Sequence, residues 1–130
     1  MTIVVGYIPN EYGEVALSVA IEEARRRGLR LVVVNSTRGD ALVDRTYVGE
    51  SAAHDLAARL AGLDVVSELR QPMGADVAEE IITVAREVGA ELVVIGLRHR
   101  TPVGKILMGS VAQEVLLGAP CPVLTVKPAY

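Results

Sequence analysis

The chain has 130 residues, room for one ordinary domain and no second core. At this size folding hides roughly two-thirds of the unfolded chain's surface, so a core forms without covalent staples. The single cysteine, Cys121, excludes an internal disulfide framework and fits a reducing compartment. A balance of 13 Lys and Arg against 16 Asp and Glu, net −3, is too acidic for a general nucleic-acid binder, and 51% hydrophobic residues exclude a disordered chain.

Residues Met1 to Gly6 carry no basic flank and only a short apolar run, so they do not read as a signal peptide. No apolar stretch approaches the length needed to cross a bilayer. The expectation is a soluble cytoplasmic domain with no membrane or nucleic-acid partner. With no Phe, no Trp and four Tyr, the core has to be built from Val, Leu, Ile and Ala, which suits helices packed on a β-branched parallel sheet.

Short apolar runs alternate with amphipathic stretches along the chain. Thr2 to Val5 is β-branched and too short for a helix, so it reads as a strand. From Glu14 to Arg27 the residues Leu17, Ile21 and Ala24 recur at helical spacing, with Glu22, Glu23 and Arg25 to Arg27 as the wet face and Gly28 as the stop. Leu31 to Val34 is a second strand, and a polar stretch from Asn35 to Tyr47 follows with a turn signal at Arg38-Gly39-Asp40. An Ala-rich helix is expected from Ser51 to Leu60, ended by Gly62. Asp64 to Arg70 is a weaker strand whose clearest apolar residues are Val66 and Leu69.

The segment Gln71-Pro72-Met73-Gly74 breaks the chain. Asp76 to Val88 is then an amphipathic helix with Val77, Ile81, Val84 and Val88 on its apolar side and Glu79, Glu80, Thr83 and Glu87 on the other. Gly89 ends it. Leu92 to Ile95 is the strongest strand, closed by Gly96; a loop runs to Gly109, a helix from Ser110 to Leu117, and a last strand from Val123 to Val126. Strict alternation of strand and helix predicts one α/β sandwich with a mostly parallel sheet and helices on both faces.

Ligands of open α/β sheets bind beyond the carboxyl ends of the strands, where the strand order reverses. The candidate segments are Gly6-Tyr7-Ile8-Pro9, Asn35-Ser36-Thr37 and the loop from Gly96 to Ser110. That loop ends at a helix N-terminus, whose free N–H groups and partial positive charge favour an anion. Gly109 lets a phosphate approach the backbone, Ser110 adds a hydroxyl donor, and Arg98, His99, Arg100 and Lys105 raise the local potential. A structural reading stands beside it: Ser110 and Gln113 have the Ser-x-x-Gln spacing of a capping box, which closes the helix end for about 1 kcal/mol without any ligand.

Other motifs fail. No Gly-x-Gly-x-x-Gly follows the first strand, and Gly104-Lys105 is not a P-loop because His99 and Ile106 occupy required positions. His54 and His99 are far apart in sequence and Cys121 sits between prolines, so no metal site is expected, and Cys121 reads as a small packed residue.

The loop nevertheless resembles the nucleotide-binding pattern of the universal stress protein family: Gly, two residues, Gly, nine residues, Gly-Ser. Here it reads Gly96, Leu97-Arg98, His99, nine residues, Gly109-Ser110. The tail from Gly109 to Leu116 and from Ala119 to Lys127 is similar to the family's ending. This resemblance implies an adenine nucleotide α-hydrolase-like α/β sandwich, with a five-stranded parallel sheet in the order 3-2-1-4-5 and four helices. It also implies a homodimer joined through Val123 to Val126, an edge that proteins commonly pair or cover, with a further protein partner that the sequence leaves unidentified. In ATP-binding relatives the phosphates lie on residues matching Gly96, Gly109, Ser110, Val111 and Ala112, flanked here by Arg98 and His99. Adenine and ribose lie on those matching Tyr7, Ile8 and Asn35.

The function so implied is a regulatory stress-response domain that binds ATP, with Mg²⁺, or AMP. The chain departs from the family pattern at Ile8, where an acidic residue is expected, and at His99, where the second Gly is expected. Two lost contacts of about 1–2 kcal/mol each weaken affinity by roughly ten- to several-hundred-fold. The alternative is therefore a dimeric interaction module that has lost the nucleotide. An ATP-hydrolysing enzyme is a third class, for which the loop supplies no evident carboxylate.

Overall fold

In a computed structural model, the structure describes residues 1–35, 50–72, 76–97 and 109–128. β-branched runs form β1 (Thr2–Gly6), β2 (Arg30–Val34), β4 (Ala90–Gly96) and β5 (Val123–Val126), with the polar Ser67–Arg70 as β3. Between them lie α1 (Glu11–Arg27), α2 (Glu50–Ala61), α3 (Val77–Glu87) and α4 (Ser110–Gly118). All strand pairs are parallel and the order is β3-β2-β1-β4-β5, as the resemblance implied.

Alternation along the strands sorts the core into two layers, because successive side chains point to opposite faces. Ile3, Val5, Leu31, Val33, Leu92 and Val94 pack with Ala16, Leu17 and Ala20 of α1 and Leu56 and Leu60 of α2. Val4, Val32, Val34, Val93 and Ile95 pack with Ala78, Ile81 and Val84 of α3 and Ala112 and Val115 of α4. Burying a Val or Leu side chain is worth about 1.5–3 kcal/mol, so the three central strands, apolar on both faces, are what hold the sandwich together.

Several boundaries differ from the sequence reading. The first helix starts at Glu11, not Glu14, because Asn10 caps it: its Oδ1 accepts the Gly13 N–H at 3.0 Å. Acidic Glu11 and Glu14 in the first turn and three arginines in the last complement the helix dipole, and Gly28 ends α1 in the left-handed region at φ 66°. Glu23, assigned to the wet face, is largely covered by ion pairs to Arg26 and Arg27.

The third strand begins at Ser67 rather than Asp64, and Val66 is 65% exposed outside it. Apolar character misled there, since an edge strand is held by its backbone and polar contacts. The Val66 carbonyl accepts from Leu31 N–H at 2.9 Å, and Arg70 pairs with Glu68 and Glu87. No described helix is long and apolar enough to cross a membrane.

Candidate functional site

The sheet order reverses between β1 and β4: the chain leaves β1 toward β2 and β3, then returns past β1 to add β4 and β5. A crevice opens at the carboxyl ends of these two strands. Its inner part, with ≈ 100 Å³ open to the centre of a water molecule, is lined by Gly6, Tyr7 and Ile8 after β1, Val34 of β2, and Ile95 and Gly96 of β4. Tyr12 and Gly13 of α1, Val77 and Ile81 of α3, and Val111 and Ala112 of α4 complete it. A wider outer part of ≈ 380 Å³ is bounded by Ile8, Asn10, Tyr12, Gly96, Leu97, Gly109 and Ala112. The side chains of the inner part are mainly aliphatic, while the outer part is reached by the starts of both α1 and α4.

Two glycines shape the crevice by letting backbones meet. A Cβ on Gly96 would stand 2.4 Å from the Tyr12 carbonyl oxygen, and one on Gly13 would stand 1.8 Å from that of Ile8. The first turn of α1 is thus wedged between the β1 loop and the end of β4, and neither glycine tolerates a side chain. Gly96 therefore has a packing role in addition to the phosphate role that its motif suggested. Gly109 differs: among the described residues a Cβ there meets nothing within 4 Å.

The start of α4 corrects the capping-box reading. Gly109, not Ser110, occupies the cap position; Ser110 is the first helical residue, and among the described residues no side chain caps this helix. The first intrahelical bond is from Gln113 N–H to the Gly109 carbonyl at 3.1 Å, which leaves the backbone donors of residues 110–112 without helical acceptors. No acidic residue stands in that first turn. The spacing of Ser110 and Gln113 was suggestive, but it is one residue out of phase with the helix.

On the other side of the crevice Tyr7 is fixed at several points. Its N–H donates to the Val34 carbonyl at 2.8 Å, its carbonyl accepts from Asn35 Nδ2 at 2.9 Å, and its hydroxyl donates to Glu14 Oε1 at 2.6 Å. Arg59 of α2 grips the same carboxylate with two nitrogens, at 3.2 and 2.9 Å. Burial, aided by the Glu14 carboxylate, pushes the Tyr7 phenol up to about 12. The Arg59 guanidinium holds Glu14 below the usual carboxylate range, and Glu14 in turn raises Arg59. Burial raises the Cys121 thiol, which packs beside the second core layer and is not activated as a nucleophile.

Of the residues singled out from the sequence, Tyr7, Ile8, Gly96, Val111 and Ala112 come together around the inner cavity, and Gly109 borders the outer one. Ser110 is exposed at the start of α4. Asn35 is fully buried and is not among the residues lining either cavity. Arg98 and His99 lie outside the described residues, as do Arg100 and Lys105. Sequence reasoning missed Gly13, Val34, Ile81 and Ile95. Val34 and Ile95 were legible as the last apolar residues of their strands; Gly13 and Ile81 sit in helices whose approach to the strand ends no local pattern records.

Comparison with known proteins agrees with this architecture. Residues 1–127 match the model of the universal stress protein family. A universal stress protein of Mycolicibacterium smegmatis is 51% identical over 126 residues, covering 97% of each chain. The structure of a universal stress protein from Archaeoglobus fulgidus superposes with a TM-score of 0.79 at 32% identity, covering 98% of both chains. A structure of the universal stress protein from that organism in complex with dAMP superposes at 0.68 with 29% identity, again over 98% of each. The sheet order, the helices on both faces and these matches agree on an adenine nucleotide α-hydrolase-like sandwich, and the chain belongs to the universal stress protein family.

Proposed function

We propose that this chain is a cytoplasmic regulatory domain that binds an adenine nucleotide in the crevice between β1 and β4. The carrying observation is the start of α4, which no described side chain caps and which borders the outer cavity at Gly109. Gly109 and Ser110 are exposed, so a ligand can reach this helix end, and phosphate oxygens are well matched to three backbone donors and a positive dipole end. The aliphatic inner cavity offers a surface for a base, while the wider outer part leaves room for ribose and phosphates. Mg²⁺ would come with ATP, held mainly by phosphates and water. The dAMP-bound relative supports an adenine ligand.

Titration of ligand-stripped, refolded protein with Mg-ATP in a calorimeter tests this. Binding, with a melting temperature that climbs with ATP concentration, is the expected result. No heat up to millimolar ATP in folded protein overturns it and leaves the dimeric interaction module as the function.

The same proposal includes a homodimer through β5. That strand is an edge, its four residues are half-buried, and none is charged. The opposite edge, β3, carries Glu68 and Arg70, charges of the kind that discourage pairing. A monomeric mass by light scattering at micromolar concentration would refute the dimer.

A further inference from the structure

We propose that Asn35 and Gln71 form a positioning pair that sets the Tyr7–Ile8 wall of the crevice, with Asn35 acting through Tyr7 rather than as a ligand of the nucleotide. The functional consequence rests on the nucleotide reading above; the geometry does not.

Asn35 follows β2 and is fully buried, so the orientation of its amide matters. The Tyr7 carbonyl can only accept, which places the Asn35 NH₂ against it at 2.9 Å. The Asn35 Oδ1 then accepts from Gln71 Nε2 at 3.2 Å. Gln71 comes directly after β3 and is half-buried. The Asn35 backbone N–H adds a bond to the Arg70 carbonyl at 3.0 Å, so the ends of β1, β2 and β3 are laced through one residue.

The lacing bears on the crevice because the peptide between Tyr7 and Ile8 is planar. With its carbonyl drawn toward Asn35, its N–H is turned the opposite way, away from β2 and to the side where the crevice opens. Ile8 lines both cavities, and its own carbonyl is engaged by Asn10 N–H at 2.8 Å. Gln71 thus orients Asn35, Asn35 orients the Tyr7–Ile8 peptide, and that peptide presents Ile8 to the ligand. A buried oxygen that loses a donor is disfavoured: without Gln71 Nε2 the Asn35 amide gains by turning over, which sets its Oδ1 against the Tyr7 carbonyl and displaces that peptide.

The test uses Gln71→Glu, Gln71→Lys and Asn35→Asp in the full chain, with Mg-ATP affinity, melting temperature and amide hydrogen exchange at Ile8 as readouts. Gln71→Glu keeps the shape and removes the donor; affinity falls several-fold, Ile8 exchange accelerates, and the melting temperature stays near that of the wild type. Gln71→Lys restores a donor and returns both affinity and exchange toward wild type. Asn35→Asp places a carboxylate against the Tyr7 carbonyl and lowers affinity about ten-fold or more.

If Asn35→Asp does not fold, the half-buried Gln71 pair of variants still decides. Unchanged Ile8 exchange in Gln71→Glu overturns the proposal, as does a fall in melting temperature with unchanged affinity. Should the wild type bind no ATP, the nucleotide reading fails alone, and Ile8 exchange in the ligand-free variants still tests the positioning pair.

Discussion

The starts of α3 and α4 flank the same crevice and are finished in opposite ways. At α3, Asp76 accepts the Glu79 N–H at 3.1 Å, and Glu79 and Glu80 lay negative charge on the first turn. At α4, Gly109 offers no side chain and the first turn has no acid. α1 follows the α3 pattern, with Asn10 as its cap and Glu11 and Glu14 beside it. A helix that closes its own end gains about 1 kcal/mol and gives up its power to hold an anion there. One that leaves the end open forgoes that stability and keeps the donors for something else. The contrast separates structural helix starts from the one assigned to the ligand.

The sharpest way to break this contrast is to give α4 the start that α3 has. Gly109→Asp meets no described atom within 4 Å of its Cβ. It should lower Mg-ATP affinity about a hundred-fold, by occupying donors and repelling phosphate. Ligand-free protein should meanwhile melt about 3–5 °C higher, from a cap worth about 1 kcal/mol. Opposite signs in calorimetry and melting are the signature; a parallel loss of both would mean that α4 is only a packing element.

The converse change is smaller. Asp76→Ala removes the α3 cap and should cost about 1 kcal/mol in a denaturant titration, while leaving ATP affinity as it was. A ten-fold loss of affinity would show that the two helix starts are not distinct in role.

A third prediction concerns the anchor on the far wall, and its sign follows from the raised Tyr7 pKa. The folded protein holds the phenolic proton up to about 12, whereas an unfolded tyrosine releases it near the ordinary 10.0. The stabilisation is present below pH 10 and fades as pH rises from there to about 12. Wild type should lose stability across that window relative to Tyr7→Phe. Glu14 behaves in the opposite sense: its lowered pKa contributes stability above the usual carboxylate range that is lost on acidification. Glu14→Gln should flatten the acid limb of the stability curve; equal slopes would mean that the Arg59 contact is not maintained in solution.

The smallest effect is expected on the surface. Arg25 bridges Glu22 and Asp64 in full solvent, and Arg25→Ala should leave both melting and ATP binding unchanged within error.

Only part of this contrast is legible in the sequence. Asp76 opens a clean amphipathic run, although the sequence reading sets it inside the helix and the structure makes it the cap. The α4 start could not be read the same way, because Ser110 and Gln113 carry the residue types of a capping box one position too late. Only the backbone phase, set by where α4 packs against Ile82 and the β4–β5 layer, decides which residue caps. Asn35 is a similar case. Its type and its place after β2 suited a contact with the ligand, yet the structure engages its amide with Tyr7 and Gln71, residues distant in the chain.

Strand alternation, helix periodicity and the Gly109-Ser110 tail determined by themselves the α/β class, the element order and the family, because these are local signals repeated along the chain. The tertiary structure alone decided which atoms meet at the crevice. The contacts of Gly96 with Tyr12, Gly13 with Ile8, and Glu14 with Tyr7 and Arg59 depend on how helices settle on the sheet. That settling comes from the packing of whole faces, which no short window of residues encodes.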